Sequence, residues 1–183
     1  MARARAVRKP EGPKIIGMDR DELVAAQGPL KERYREAPEA ALVTLSAEGS
    51  LGDGVSCSVQ TGRALAEAGL HPATGGDGTL LCSGDMLLEA LVACAGVTLR
   101  AVATSLQLPV TTGRVRAEGD LDFRGTLGVD RDAPVGFSAI RLSFELDGDL
   151  DAEQLALLQK LTERYCVVYQ TLASGPGLSV SFA

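Results

Sequence analysis

The stretch G-D-M-L-L-E-A-L-V-A-C-A-G-V-T-L-R-A-V-A-T-S, residues 84–105, decides how the rest of the chain is read. Asp85 is placed to cap a first turn, and no proline interrupts the residues after it. Leu87, Ala90, Leu91, Cys94, Val97, Thr98 and Ala101 recur at i, i+3, i+4, i+7 spacing, which predicts a helix from Gly84 to Ser105. Leu88, Val92, Ala95, Leu99 and Val102 occupy the other side. A helix apolar nearly all round is expected at the centre of a fold. Glu89 and Arg100 interrupt the roughly 20 apolar residues that a bilayer crossing needs, so no membrane association is expected. Ala90, Ala93, Ala95 and Gly96 flank Cys94, and such small residues let another element come close to the thiol.

The remainder of the composition is that of an ordinary globular chain. With 183 residues one domain is expected, its core built from Leu, Val and Ala because only 4% of residues are aromatic and tryptophan is absent. A net charge of -6 argues against a nucleic-acid partner, which calls for a concentrated basic patch. Four cysteines, Cys57, Cys82, Cys94 and Cys166, are too few for a disulfide scaffold. The first residues lack an apolar signal-peptide region, so a reducing cytoplasm is the expected compartment.

Outward from the helix, residues 1–17 carry Arg3, Arg5, Arg8, Lys9 and Lys14 among Pro10, Gly12 and Pro13 and read as a basic arm. A helical segment is expected from Asp19 to about Arg35, broken at Gly28-Pro29. Together these form an extension over residues 1–40, with the main domain over 41–183. Strands are expected from Ala41 to Ala47 and from Gly54 to Gln60, joined by a turn at Glu48-Gly49-Ser50. In the second, Cys57 shares a face with Val55 and Val59 and reads as a small core hydrophobe, as does Cys82.

Residues 61–79 read as loop, with Arg63 and the chain's one histidine, His71. Its glycines lack the lysine and hydroxyl of a phosphate loop, and a lone histidine cannot support the usual zinc chemistry. Leu108-Pro109 is expected to stop the central helix. Strands are expected next from Thr111 to Phe123 and from Ser138 to Asp147. In the latter Ile140, Leu142, Phe144 and Leu146 alternate with Arg141, Ser143, Glu145 and Asp147, a sheet with one buried and one wet face. Asp151, with Gln154 three residues on, has the form of a capping box for a second helix whose inner face carries Leu155, Leu158, Thr162 and Cys166. A short strand from Leu178 to Phe182 is expected at the end.

Two helices thus each place a cysteine on an inward face. Periodicity alone leaves two readings open: two inert thiols buried for packing, or a reactive pair. A reactive thiol needs its thiolate stabilised and an opening to its oxidant, and Arg63 and Arg100 are the arginines to consider.

Here the residues resemble a known family. S-G-D-M-L-L-E-A-L-V-A-C-A-G-V-T is similar to the first cysteine helix of the OsmC/Ohr family of hydroperoxide-detoxifying proteins, and E-R-Y-C-V-V-Y-Q-T-L to its second. T-G-R-A-L, the glycine-rich approach H-P-A-T-G-G-D-G-T, and L-D-F-R-G-T-L-G-V-D extend the likeness over about residues 55–183. The resemblance implies an α+β fold in which two chains interlock as a homodimer, strands wrapped around the two cysteine helices. It also implies a thiol peroxidase reducing organic hydroperoxides, with Cys94 peroxidatic, Cys166 resolving and Arg63 holding the first thiol as thiolate. A carboxylate paired with that arginine would be Asp85 or Glu89. No bound cofactor or metal is implied; the reductant would be an external dithiol such as a lipoyl group. Two positions depart from the family pattern: Val167 follows Cys166 where proline is usual, and Asp85 stands where a glutamate is usual. The competing reading is a non-catalytic dimeric stress-related or ligand-binding protein whose cysteines only pack.

Overall fold

A computed structural model describes residues 19–37, 48–51, 56–60, 65–128 and 130–182. The expected strand over residues 41–47, the basic arm over 1–17 and Arg63 lie outside the described residues, as does the Cys57 side chain.

The central helix, α2, spans Ser83–Ser105. Cys82 is its N-cap and makes no side-chain capping bond, so Asp85 is a first-turn residue instead of the expected cap. At the other end the helix is closed by its own backbone before proline is reached. Gln107 adopts a left-handed φ of 56°, and the N–H groups of Leu108 and Gln107 reach back to the carbonyls of Ala103 and Thr104 at 2.9 and 3.1 Å. This double closure satisfies carbonyls that the last turn would otherwise leave unpaired.

Preceding it, α1 covers Arg20–Glu36 and runs unbroken through Pro29, contrary to the break expected there. Asp19 and Glu22 cap its start reciprocally, each carboxylate accepting the other's N–H at 2.8 and 2.9 Å. The helix packs against α2, and this contact compensates for the hydrogen bond that the proline forfeits.

One sheet has the order β1(Glu48–Leu51), β2(Ser56–Gln60), β3(Leu65–Gly69), β4(Leu81–Cys82). The first three are antiparallel, with Leu51 opposite Cys57 and Cys57 opposite Ala68. β4 joins β3 in parallel, Gly69 opposite Cys82, and feeds directly into α2. The expected turn at Glu48-Gly49-Ser50 is therefore strand, and part of the expected loop over residues 61–79 is strand as well. In both places pairing with β2 overrides local preference.

The second sheet is a two-stranded ribbon, β5(Val110–Leu121) and β6(Phe137–Gly148). Their register runs from Val110 opposite Gly148 to Leu121 opposite Phe137. Gly119 is fixed by this pairing, because a Cβ there would lie 2.5 Å from the Phe137 ring. The predicted alternation holds: Ile140, Leu142, Phe144 and Leu146 are half-buried while Arg141, Ser143, Glu145 and Asp147 are exposed. A short helix, α3(Phe123–Thr126), lies between the two strands. It is capped by Asp122, whose carboxylate also engages Arg124.

Then come α4(Ala152–Tyr165), opened by the expected Asp151–Gln154 capping box, and α5(Val167–Ser174). Residues 175–182 are irregular and Leu178, Val180 and Phe182 are exposed, so the expected terminal strand is not formed within the chain.

Two contiguous apolar clusters make the core, both strung along α2. Leu99, Val102 and Ala103 meet Leu158 of α4 in one, and Leu91 and Ala95 meet Cys166 in the other; Phe144 packs on both. These α2 residues define one face. The opposite stripe is open: Leu87 and Ala90 are exposed and Val97 is 72% exposed. Among the described residues the expected burial of the helix is therefore found on one side, where residues of α4, α5 and β5 pack, while α1 also touches it.

Candidate functional site

Cys94 lies at the middle of α2, half-buried, next to Ala95 and one turn from Leu91 of the second cluster. Cys166 is 1% exposed and belongs to that same cluster, so the structure brings the two sequence-predicted thiols together. Both are free thiols. Cys166 is not inside the second helix, as its spacing suggested, but is the single extended residue (φ -72°, ψ 107°) between α4 and α5. It ends one helix and begins the next.

That break supplies the site's electrostatics. The first intrahelical bond of α5 is from the Gln170 N–H to the Cys166 carbonyl, 2.9 Å, which leaves the N–H groups of Val167, Val168 and Tyr169 without a helical acceptor. They lie at the junction that holds Cys166, on whose cluster Cys94, Val168 and Tyr169 pack. Burial pushes the Cys94 thiol up, but donation from the Val168 N–H, the Cys166 thiol, the Val167 N–H and the Thr98 hydroxyl outweighs it and leaves the group below its ordinary value. For Cys166 burial dominates and the neighbouring Cys94 adds to it. Against these the Tyr169 and Val168 N–H groups are insufficient, and the thiol is pushed above its ordinary value. One thiol is thus disposed to ionise and its neighbour to remain protonated. Such a division suits a nucleophile and its hydrogen-bonding partner.

Of the other candidates, Arg100 is committed elsewhere. Its guanidinium donates to the carbonyls of Val110 and Thr111 at 2.6 and 2.8 Å, latching the start of β5 to α2. Asp85 and Glu89 are both exposed on α2. Asp85 lines a cavity of about 370 Å³ with His71, Cys82 and Phe123. It precedes Cys94 by nine residues, about 13 Å along the helix axis. His71 is a packing residue in the described structure, stacked on Phe123 with ring centres 5.0 Å apart and its Nδ1 accepting the Ala73 N–H. Among the described residues no group of three or more His, Cys, Asp or Glu side chains is placed to hold a metal ion.

Sequence reading missed Thr98 and the amides of α5. Thr98 was legible in principle, since it lies one turn beyond Cys94 on the same face. The amides were not, because nothing in E-R-Y-C-V-V-Y-Q announces that the helix stops and restarts.

A larger opening adjoins the pair. A cleft of about 710 Å³ separates the inner face of β6 from α4, and Cys166, Thr162, Glu163 and Tyr169 line one end of it. The Thr162 hydroxyl is buried there without a hydrogen-bond partner among the described residues.

An α+β domain with two facing thiols at a helix junction defines the class, and sequence comparison supplies the family. The model for OsmC-like proteins matches residues 76–181, and the chain belongs to that family. Solved structures agree on the fold. An OsmC-like protein from Mycoplasma pneumoniae superposes with a TM-score of 0.60 at 16% identity, covering 73% of this chain and 89% of that one. An organic hydroperoxide resistance protein from Legionella pneumophila, also described as a predicted redox protein, gives 0.58 at 17% identity, covering 73% and 92%. One from Elizabethkingia anophelis gives 0.56 at 16%, covering 74% and 91%. No curated protein matches the sequence.

Proposed function

We propose that this protein is a thiol peroxidase that reduces organic hydroperoxides to alcohols through Cys94 and Cys166. The observation that carries the reading is the packing of Cys94 against the buried cluster that holds Cys166, at the start of α5; the directions of the two thiols' shifts, Cys94 down and Cys166 up, agree with it. Membership of a family that includes organic hydroperoxide resistance proteins supports the same chemistry.

In the first step the Cys94 thiolate attacks the peroxide's terminal oxygen, the O–O bond breaks, and the departing alkoxide takes a proton from water to leave as alcohol. Cys94 becomes a sulfenic acid. The Cys166 sulfur then displaces its hydroxyl, giving a disulfide and water. An external dithiol, such as a lipoyl group, restores both thiols by exchange and is itself oxidised to a disulfide. Arg63 is assigned as the cation that supports the first thiolate, with Asp85 or Glu89 as its carboxylate partner. The compartment assigned is the cytoplasm, where such a dithiol stays reduced.

The working unit is assigned as a homodimer. Its support is the open apolar stripe of α2 at Leu87, Ala90 and Val97, together with the cleft beside β6, a long strand paired on one edge only among the described residues. The described residues of a single chain leave both uncovered, and a second copy would bury them.

The test is consumption of cumene hydroperoxide with dihydrolipoamide as reductant. Turnover in the wild type and its loss in Cys94→Ser are expected. Absence of turnover in the wild type, or undiminished turnover in the variant, would overturn the assignment.

A further inference from the structure

The cleft between β6 and α4 has two unlike ends. Along most of its length Ile140, Leu142, Phe144 and Leu146 of β6 face Leu155 and Leu158 of α4, and Leu155 is left 45% exposed by it. Its volume of about 710 Å³ falls inside the range of roughly 300–1,000 Å³ usual for small-molecule sites. At the other end stand Gln159, Thr162, Glu163 and Tyr169, beside Cys166. Thr162 is 2% exposed, and its hydroxyl has no hydrogen-bond partner among the described residues. Burying a hydroxyl unpaired is costly, and a helical threonine has a ready remedy in the carbonyl one turn back. This one does not take it. On the wall of a cleft, such a group is a donor and acceptor whose partner arrives with a ligand.

We propose that this cleft binds a neutral amphipathic small molecule, an alkyl chain ending in a hydroxyl or carbonyl group, with the chain along β6 and the polar atom on the Thr162 hydroxyl. The apolar walls set the chain's place. Charge at the polar end sets the class: among the residues that line the cleft only Glu163 is charged, and its carboxylate already accepts from the Gln159 amide at 2.8 Å. An anionic head group would meet a like charge in a poorly solvated place, and a cationic one would find that carboxylate already engaged. A second copy set over the open side would cover the mouth of the cleft. The Thr162 hydroxyl lies too deep for a protein surface and calls for a slender group. The inference concerns binding and not turnover, so it does not depend on the peroxidase reading.

Methyl-labelled NMR of the full-length protein, titrated with octanol, octanoate and octylammonium, tests this. Octanol is expected to shift the Ile140 and Leu142 methyl resonances saturably, and the two charged probes to bind at least about tenfold more weakly. Thr162→Val should weaken octanol about fivefold, the worth of one neutral hydrogen bond, while Thr162→Ser keeps the wild-type affinity. Because the hydroxyl has no internal partner to lose, Thr162→Val should be at least as stable as wild type in chemical denaturation. In Glu163→Gln octanoate should gain affinity and octanol should be unchanged. No saturable shift with octanol, an unchanged octanol affinity in Thr162→Val, or a charged probe that binds as tightly as octanol overturns the proposal. So does a destabilised Thr162→Val, which would reveal an internal partner for the hydroxyl. A protein that binds octanol in this way yet consumes no cumene hydroperoxide would sink the peroxidase assignment and leave the site in place.

Discussion

Replacing Cys166 by alanine removes one of the groups that lower the Cys94 pKa and leaves the backbone groups alone. Burial opposes ionisation of Cys94, and the Val168 N–H, the Cys166 thiol, the Val167 N–H and the Thr98 hydroxyl favour it. A hydrogen bond to a charged acceptor is worth about 1.5–3 kcal/mol for strong donors; a thiol is a weak one, so about 1 kcal/mol is the appropriate figure. At about 1.4 kcal/mol per pKa unit, the Cys94 midpoint should rise by roughly 0.5 to 1 unit in Cys166→Ala. The direction is set by which form is stabilised: losing a donor to the thiolate favours the thiol, so the alkylation curve moves toward higher pH. At a pH below both midpoints the reactive fraction, and with it the single-turnover rate of sulfenic acid formation, falls by about 3- to 10-fold. Cys166→Ser keeps a donor, and a stronger one, so its midpoint should lie at or below the wild-type value. Peptide-resolved alkylation across pH reads both. A Cys166→Ala midpoint equal to or below wild type, or serine and alanine variants that behave alike, would refute the account of a thiol donating to a thiolate.

Packing and polar contacts give two further expected outcomes. Leu158 is 1% exposed and joins α4 to Leu99, Val102 and Ala103 of α2, so Leu158→Ala should cost about 2–5 kcal/mol in chemical denaturation, toward the lower end if the adjoining cleft lets the site collapse. Arg100→Gln should loosen the start of β5, seen as faster hydrogen exchange at Val110 and Thr111, while leaving the Cys94 alkylation midpoint unchanged; a raised midpoint would show that Arg100 also serves the thiolate.

Where local chemistry and tertiary packing agree, the sequence was readable. The α2 helix, the β5–β6 ribbon with its alternating face, and the Asp151 capping box all carry a period or a pair that one stretch of chain settles by itself. Where distant partners decide, it was not. Leu65–Gly69 is built of Leu, Ala, Glu and Gly, poor strand formers that become strand only because β2 lies alongside, and Pro29 is tolerated because α1 rests on α2. Hydrophobic periodicity marked α2 as apolar on every side, but it could not tell which stripe its own chain covers, since that depends on the direction from which α4 and β5 arrive. At the site, spacing placed both cysteines on inward faces. The break at Cys166 that leaves three α5 amides without a helical acceptor bears no mark of proline or glycine in the sequence.

Donors that belong to the main chain have a consequence for inheritance. A catalytic arginine or histidine is lost by almost any codon change at its position, whereas the N–H groups at 167 and 168 persist through every substitution except proline. Side chains there are free to drift with whatever surface they meet. A lineage of such proteins can therefore diverge widely in sequence around its second cysteine while the environment of the first stays the same.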